Sequence, residues 1–164
     1  MIVVVMGVTG CGKSTVGAAL AQRLGLRFVD ADDFHPPGNV AKMAAGTPLT
    51  DEDRWPWLDR LASELRAIED SGGSAVLACS ALKEAYRARI VMAGDVRFVH
   101  LVGDQATIAS RLAERKHRYM PPSLLASQFA TLERPANAVE IDVRLPVDRQ
   151  VDDICAAISA TRQP

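Results

Sequence analysis

The chain has 164 residues, of which 48% are hydrophobic and 24% charged, with a net charge of −1; this is the balance of one ordinary globular domain, residues 1–164, with a core of its own. The absence of a basic excess excludes general binding to nucleic acid or anionic membrane, so any anion site must be built locally. Three scattered cysteines without a C-x-x-C pair, a short apolar start lacking a basic flank, and no apolar run near 18 residues lead to the expectation of a cytoplasmic chain without a disulfide framework, a signal peptide or a membrane span.

In chain order, Ile2–Met6 reads as a buried strand that stops at Gly7. Next comes Gly7-Val8-Thr9-Gly10-Cys11-Gly12-Lys13-Ser14, a full match to G-x-x-x-x-G-K-[ST], followed by Thr15. Four specified positions make a chance match on the order of one per cent at ordinary residue frequencies, and a strand before with a helix after lowers it further. The glycines let backbone N–H groups of the loop, Gly7, Thr9, Gly10, Cys11 and Gly12 among them, turn toward phosphate oxygens. The helix N-terminus adds partial positive charge on the same side. Lys13 is expected to reach the β- and γ-phosphates of ATP, and Ser14 to ligate magnesium. Cys11 reads as a small loop residue, with a thiol switch as the alternative.

Residues 14–24 carry Val16, Leu20 and Leu24 at helical spacing, with Gly25 as the stop. A second strand at 27–29 leads into Asp30-Ala31-Asp32-Asp33-Phe34-His35. Phosphoryl transfer needs one carboxylate beside the metal and one to accept a hydrogen bond from the attacking hydroxyl. If the strand continued, Asp30 and Asp32 would share a side and Asp33 would oppose them. Asp32 is therefore the expected base and Asp30 the expected magnesium-side group. The stretch 30–53, with Pro36, Pro37, Gly38, Gly46 and Pro48, reads as an irregular functional loop.

Trp55, Leu58, Leu61, Leu65 and Ile68 line one face of the next helix, for which Asp53 is the expected N-cap and Gly72-Gly73 the end. Arg54 at its start reads, alone, as a surface ion pair. Trp55 and Trp57 cannot both face the core, so one is expected to close a substrate pocket or the helix–loop junction. A third strand at 74–79 runs into Ser80 and a helix at 81–92, on which Lys83 and Arg87 share a face. Such a pair grips an anion or lies as an exposed basic stripe.

A fourth strand at 96–101, a helix at 104–115, a weaker strand at 138–143 and a helix at 149–159 complete the pattern. Buried strands separated by helices imply an α/β fold: a parallel sheet with helices on both faces, its ligands at the carboxyl ends of the strands. Arg111, Arg115, Lys116 and Arg118 form a basic cluster before Met120-Pro121-Pro122, where arginines of a mobile loop could close over ATP. The histidines lack metal-like spacing.

Together these motifs resemble the gluconokinases of the P-loop, shikimate-kinase-like type over residues 4–135. The phosphate loop is generic. The more specific segments are Asp30-Ala31-Asp32-Asp33-Phe34-His35-Pro36 with Asn39 and Lys42-Met43, then Gly46-Thr47-Pro48-Leu49 and Asp51-Glu52-Asp53-Arg54-Trp55-Pro56-Trp57-Leu58. Ala78-Cys79-Ser80-Ala81-Leu82-Lys83 with Tyr86-Arg87, and Ser127-Gln128-Phe129-Ala130-Thr131-Leu132-Glu133, complete them. The resemblance implies a three-layer P-loop fold with a five-stranded parallel sheet, ATP-dependent phosphorylation of gluconate with magnesium, a lid at about 115–122, and a homodimer. It implies Lys13, Asp32 and Arg115 as catalytic, Arg111 as an ATP contact, and Asp32, His35, Arg54, Ser80, Lys83 and Arg87 as contacts to gluconate. Two departures stand out: Ala31 where the family usually has Gly, and His117-Arg118-Tyr119-Met120 where it usually reads Gly-His-Phe-Met, so no role for a lid histidine carries over. A kinase of another small acid such as shikimate shares the loop and the aspartates. A nucleoside monophosphate kinase fits less well, since nothing obvious reads a base, and a non-catalytic ATP switch is opposed by intact Lys13, Ser14 and Asp32. Residues 142–151 are expected to frame the adenine.

Overall fold

The structure is a computed structural model that describes residues 1–114 and 122–160. Five strands, β1 (Ile2–Met6), β2 (Arg27–Asp30), β3 (Ala75–Ala78), β4 (Val96–Val102) and β5 (Val139–Asp142), form one sheet in the order β2-β3-β1-β4-β5. All four pairings are parallel. The helices are α1 (Lys13–Leu24), α2 (Pro37–Ala44), α3 (Asp51–Asp70), α4 (Glu84–Val91), α5 (Gln105–Glu114), α6 (Pro122–Thr131) and α7 (Val147–Ala160).

The central strand explains the layering. Every residue of β1 is fully buried, and alternate side chains feed two separate cores. Val3 and Val5 pack with Val16 and Leu20 of α1 and Ile154 of α7 on one face. Ile2, Val4 and Met6 pack with Leu58, Leu61 and Leu65 of α3 and Ile90 of α4 on the other. Gly25 caps α1 in a left-handed conformation (φ 66°) and its N–H donates to Ala21 O and Gln22 O, ending the helix where the sequence predicts. Among the described residues, no helix is long and apolar enough to cross a membrane.

Four expectations change. The segment 30–53 is largely ordered: a 3₁₀ turn at Ala31–Phe34 and helix α2 occupy most of it, because Pro37 sits in the first turn of a helix, where its missing N–H costs nothing. Thr50, not Asp53, caps α3. Its hydroxyl accepts from Asp53 N–H (3.2 Å) while the Asp53 carboxylate accepts from Thr50 N–H (2.9 Å), a reciprocal capping box. Trp57, rather than Trp55, is the fully buried tryptophan of α3. Finally, α4 begins at Glu84, three residues later than expected, after Ala81 adopts a left-handed backbone (φ 43°) that no helix can contain. Helix α6 was not anticipated. The expected lid, including Arg115, Lys116 and Arg118, lies outside the described residues except for Pro122, the first residue of α6.

Candidate active site

The strand–loop–helix unit places the phosphate loop at the carboxyl end of the central strand. Gly12 precedes α1 with φ 101°, a conformation that L-residues rarely adopt, and open space surrounds the point where a Cβ would lie. Gly10 (φ 78°) is required for a second reason, since a Cβ there would come within 2.6 Å of Leu112 Cγ. The Lys13 ammonium donates to Val8 O at 2.9 Å, folding its side chain along the loop. Thr9 N–H donates to Gln128 Oε1 at 2.6 Å, which ties the loop to α6.

The acidic cluster faces this loop. Ser14 Oγ donates to Asp30 Oδ2 (2.7 Å), and Asp30 Oδ1 accepts from Asp32 N–H (3.0 Å). Asp30 thus caps the 3₁₀ turn in which Asp32 lies. The two carboxylates do reach the same cleft, but through this turn and not through strand alternation, because β2 ends at Asp30.

Two clefts meet here. The phosphate cleft is lined by Thr9, Gly10, Gly12, Lys13, Ser14, Thr15, Asp30 and Asp32. A second cleft adds His35, Met43, Leu49, Arg54, Trp57, Ser80, Leu124 and Gln128. Thr9, Lys13 and Asp32 line both. Asp32 is exposed, its side chain at 60%, whereas the His35 side chain beside it is only 4% exposed. The His35 ring stacks on Trp57 (centroids 4.1 Å apart, 16° between planes), and Trp57 Nε1 donates to Ala31 O at 2.7 Å. Burial pushes the His35 imidazole below its ordinary pKa, Asp32 working against that and Arg54 with it.

The cations divide. Arg54 lines the second cleft, held by donation to Leu49 O (2.7 Å) and Tyr86 OH (3.1 Å), its guanidinium 5.2 Å from the Tyr86 ring centre. Lys83 and Arg87 are not among the described residues lining either cleft. Lys83 stands before α4, so the helical spacing that paired it with Arg87 does not apply, and its ammonium is bound to both Asp51 oxygens (3.0 and 3.1 Å). Asp51 also accepts from Tyr86 OH, and these two donors hold its carboxyl below the usual range. Arg87 is buried and donates to Ala81 O (3.0 Å) and Leu82 O (3.1 Å), so it secures the left-handed backbone that follows Ser80. The Ser80 carbonyl in turn accepts from Gly7 N–H at 3.4 Å. Arg87 is thereby a brace of the site's backbone.

Gly7 and Cys11 shape the loop from behind. Cys11 is buried, its sulfur 2.9 Å from where a Gly7 Cβ would stand. Burial pushes the neighbouring strand-end thiol of Cys79 up to about 12. Arg111 lines neither cleft among the described residues and donates to Val143 O, fixing the turn after β5 together with Gln150, whose amide donates to Leu145 O at 2.7 Å. Residues that sequence reasoning gave no role here are Gln128, Met43, Leu49, Leu124 and Asn39. Gln128 stood inside a family-specific segment, yet nothing local connects it with Thr9, 119 positions away.

The shikimate kinase family model matches residues 9–158. The chain is 43% identical to a probable gluconokinase of Xenopus tropicalis, over 96% of this chain and 91% of that protein. It is 50% identical to a gluconokinase of Gluconobacter oxydans (strain 621H), over 82% and 76%. Among solved structures, a gluconokinase from Sinorhizobium meliloti 1021 superposes with a TM-score of 0.88 at 40% identity, covering 97% of this chain and 91% of that one.

Proposed function

This chain belongs to the gluconokinases of the shikimate-kinase-like family, and from that membership we propose that it transfers the γ-phosphoryl group of ATP to D-gluconate, giving 6-phospho-D-gluconate. The observation that carries the reading is the sharing of Thr9, Lys13 and Asp32 by two clefts, one built to hold phosphates and one walled by a cation, an imidazole and a tryptophan. In-line transfer needs such a junction, with donor and acceptor on opposite sides of one carboxylate and one ammonium.

In this mechanism backbone N–H groups of the loop bind the phosphates, with Thr9 N–H exchanging Gln128 Oε1 and Lys13 exchanging Val8 O for phosphate oxygens, while Gly7 N–H stays on Ser80 O and serves the loop's shape rather than the nucleotide. Asp32 accepts a hydrogen bond from the primary hydroxyl of gluconate, aims its oxygen at phosphorus, and takes the proton as the new bond forms. Arg54 pairs with the gluconate carboxylate, and Ser80, which lines the same cleft, contributes a hydroxyl. Arg115, outside the described residues, is the proposed lid cation. Ser14 and Asp30 would hold magnesium: they are hard oxygen donors, and no group of three or more His, Cys, Asp or Glu among the described residues forms a cage of its own, which fits an ion bound largely by phosphates. Magnesium would neutralise charge on the transferred group. The proposal extends to a homodimer, whose test is sedimentation, and to a cytoplasmic setting in keeping with the cysteine usage.

A coupled ADP-release assay with ATP, magnesium and a panel of gluconate, shikimate, glycerate and a nucleoside monophosphate tests it. Selective turnover of gluconate is expected. Preference for another acceptor would keep the kinase and overturn the substrate, and ATP binding without turnover on any acceptor would overturn the enzyme.

A further inference from the structure

The acceptor cleft holds a side-chain network that the transfer mechanism leaves unused. Asn39, on α2, is 5% exposed. Its Nδ2 lies 2.9 Å from Asp53 O and 3.3 Å from His35 Nδ1. A carbonyl oxygen only accepts, so the Asn39 atom facing it must be the NH₂ group. The second hydrogen of that NH₂ then goes to His35 Nδ1, which must present a lone pair. The ring proton of neutral His35 therefore resides on Nε2, 3.8 Å from Asp32 Oδ1. The stack on Trp57 fixes the ring plane, and Trp57 is itself bonded to Ala31, the first residue of the turn that carries Asp32.

We propose that Asn39 locks His35 as the Nε2–H tautomer, and that this N–H donates to the gluconate hydroxyl on the carbon adjoining the one phosphorylated. The inference rests on the reading of this cleft as the gluconate site. Asp32 and His35 offer an acceptor and a donor side by side, at a separation that two oxygens of a vicinal diol can bridge with ordinary hydrogen bonds of about 2.8 Å. One hydroxyl gives its proton to Asp32 while its neighbour accepts from Nε2. Donation to the attacking oxygen itself would draw charge from the nucleophile and weaken it, so the adjoining oxygen is the productive partner. His35 is thus a substrate-reading residue and Asn39 a positioning residue acting through it.

The test compares wild type, His35→Gln, His35→Asn and Asn39→Asp, each with gluconate and 5-deoxygluconate, reading KM and kcat separately. A glutamine amide can place an N–H near the Nε2 position, whereas the shorter asparagine cannot. With gluconate, His35→Asn is expected to raise KM about tenfold and His35→Gln no more than about threefold, the scale of one hydrogen bond. Wild type should lose about tenfold on the deoxy substrate, and His35→Asn should lose nothing further there. Multiplied losses of about a hundredfold would overturn the proposal. A merely structural role would weaken both substrates alike.

Asn39→Asp supplies a pH signature. An aspartate loses the bond to Asp53 O, two acceptors then facing each other, but it accepts from Nδ1–H, leaving Nε2 without its proton in neutral His35, while the imidazolium regains it. The charged groups facing His35 are then Asp32, Arg54 and the new carboxylate. The variant should bind gluconate progressively worse as pH rises through the His35 titration, and wild type should not; a flat profile in the variant counts against the lock. Because a variant could misfold, ¹⁵N NMR of the wild-type imidazole reads the tautomer directly, with His35 identified by the signal missing in His35→Gln. Nδ1–H at neutral pH would overturn the assignment. A wild-type enzyme that does not turn over gluconate would instead remove the underlying reading, a distinguishable result.

Discussion

The two clefts that meet at Asp32 are made in different ways, and each fails differently when altered. The phosphate side is built around one short run, Gly7 to Ser14, whose backbone turns into the start of α1 beside the cleft, although Gly7 N–H donates to Ser80 O, Thr9 N–H to Gln128 Oε1 and Cys11 N–H to Val8 O. Besides Thr9 and Lys13 of the phosphate loop, the acceptor side is assembled from five separated segments: the 3₁₀ turn with His35 after it, α2 with the loop after it, α3, the turn at Ser80, and α6. A backbone device depends on a few permissive residues; a side-chain wall depends on the packing of everything behind it. The first suits a ligand part common to many proteins, and the second can be re-cut for each acceptor.

The sharpest way to test the junction is Asp32→Asn, which should lower kcat by about 10²–10⁴, the usual scale for a lost general base, with ATP binding retained. Near-normal turnover would remove Asp32 from its role. On the acceptor side alone, Arg54→Leu should raise KM for gluconate about 10- to 100-fold while KM for ATP stays put, in line with a charged hydrogen bond. A larger effect on ATP would break the separation of the clefts.

Arg87→Met should destabilise the fold by about 1–3 kcal/mol in denaturant melts, because Ala81 O loses its donor and Leu82 O is left with Glu133 N–H alone. If Arg87 instead bound substrate, KM would change with stability intact. Thr50→Ala removes one half of the capping box of α3 and should cost about 1 kcal/mol, with a small rise in KM for gluconate because Arg54 lies on the first turns of that helix. The smallest effect concerns pH. Burial lowers the His35 pKa in the folded protein, so the unfolded chain takes up the proton first as pH falls. Stability should therefore be fully present above the unfolded value of about 6.5 and decline as pH drops below it. His35→Gln should flatten that slope in part, since His100 is buried with its pKa lowered in the same sense. An unchanged slope would mean that His35 is more solvated than the stack on Trp57 implies.

The sequence by itself determined the parallel sheet, the position of the phosphate loop and the end of α1, since these follow from local rules: apolar runs, the G-x-x-x-x-G-K-[ST] spacing, and a glycine where φ must be positive. Its motifs also carried the resemblance that the comparisons bear out. What only the tertiary structure decided are matters of side-chain partnership over long distances. Which tryptophan turns inward depends on the carbonyl of Ala31. Whether Arg87 meets substrate or backbone depends on a left-handed residue that propensity does not foresee. Thr50 displaced Asp53 as the cap because both occupy one reciprocal motif, and reading it requires the register of the helix start. Gln128 and Asn39 stood in family-specific segments, but nothing local gave either a role: an amide becomes informative only once the carbonyl, N–H or imidazole it faces is known, and the fold alone brings those together.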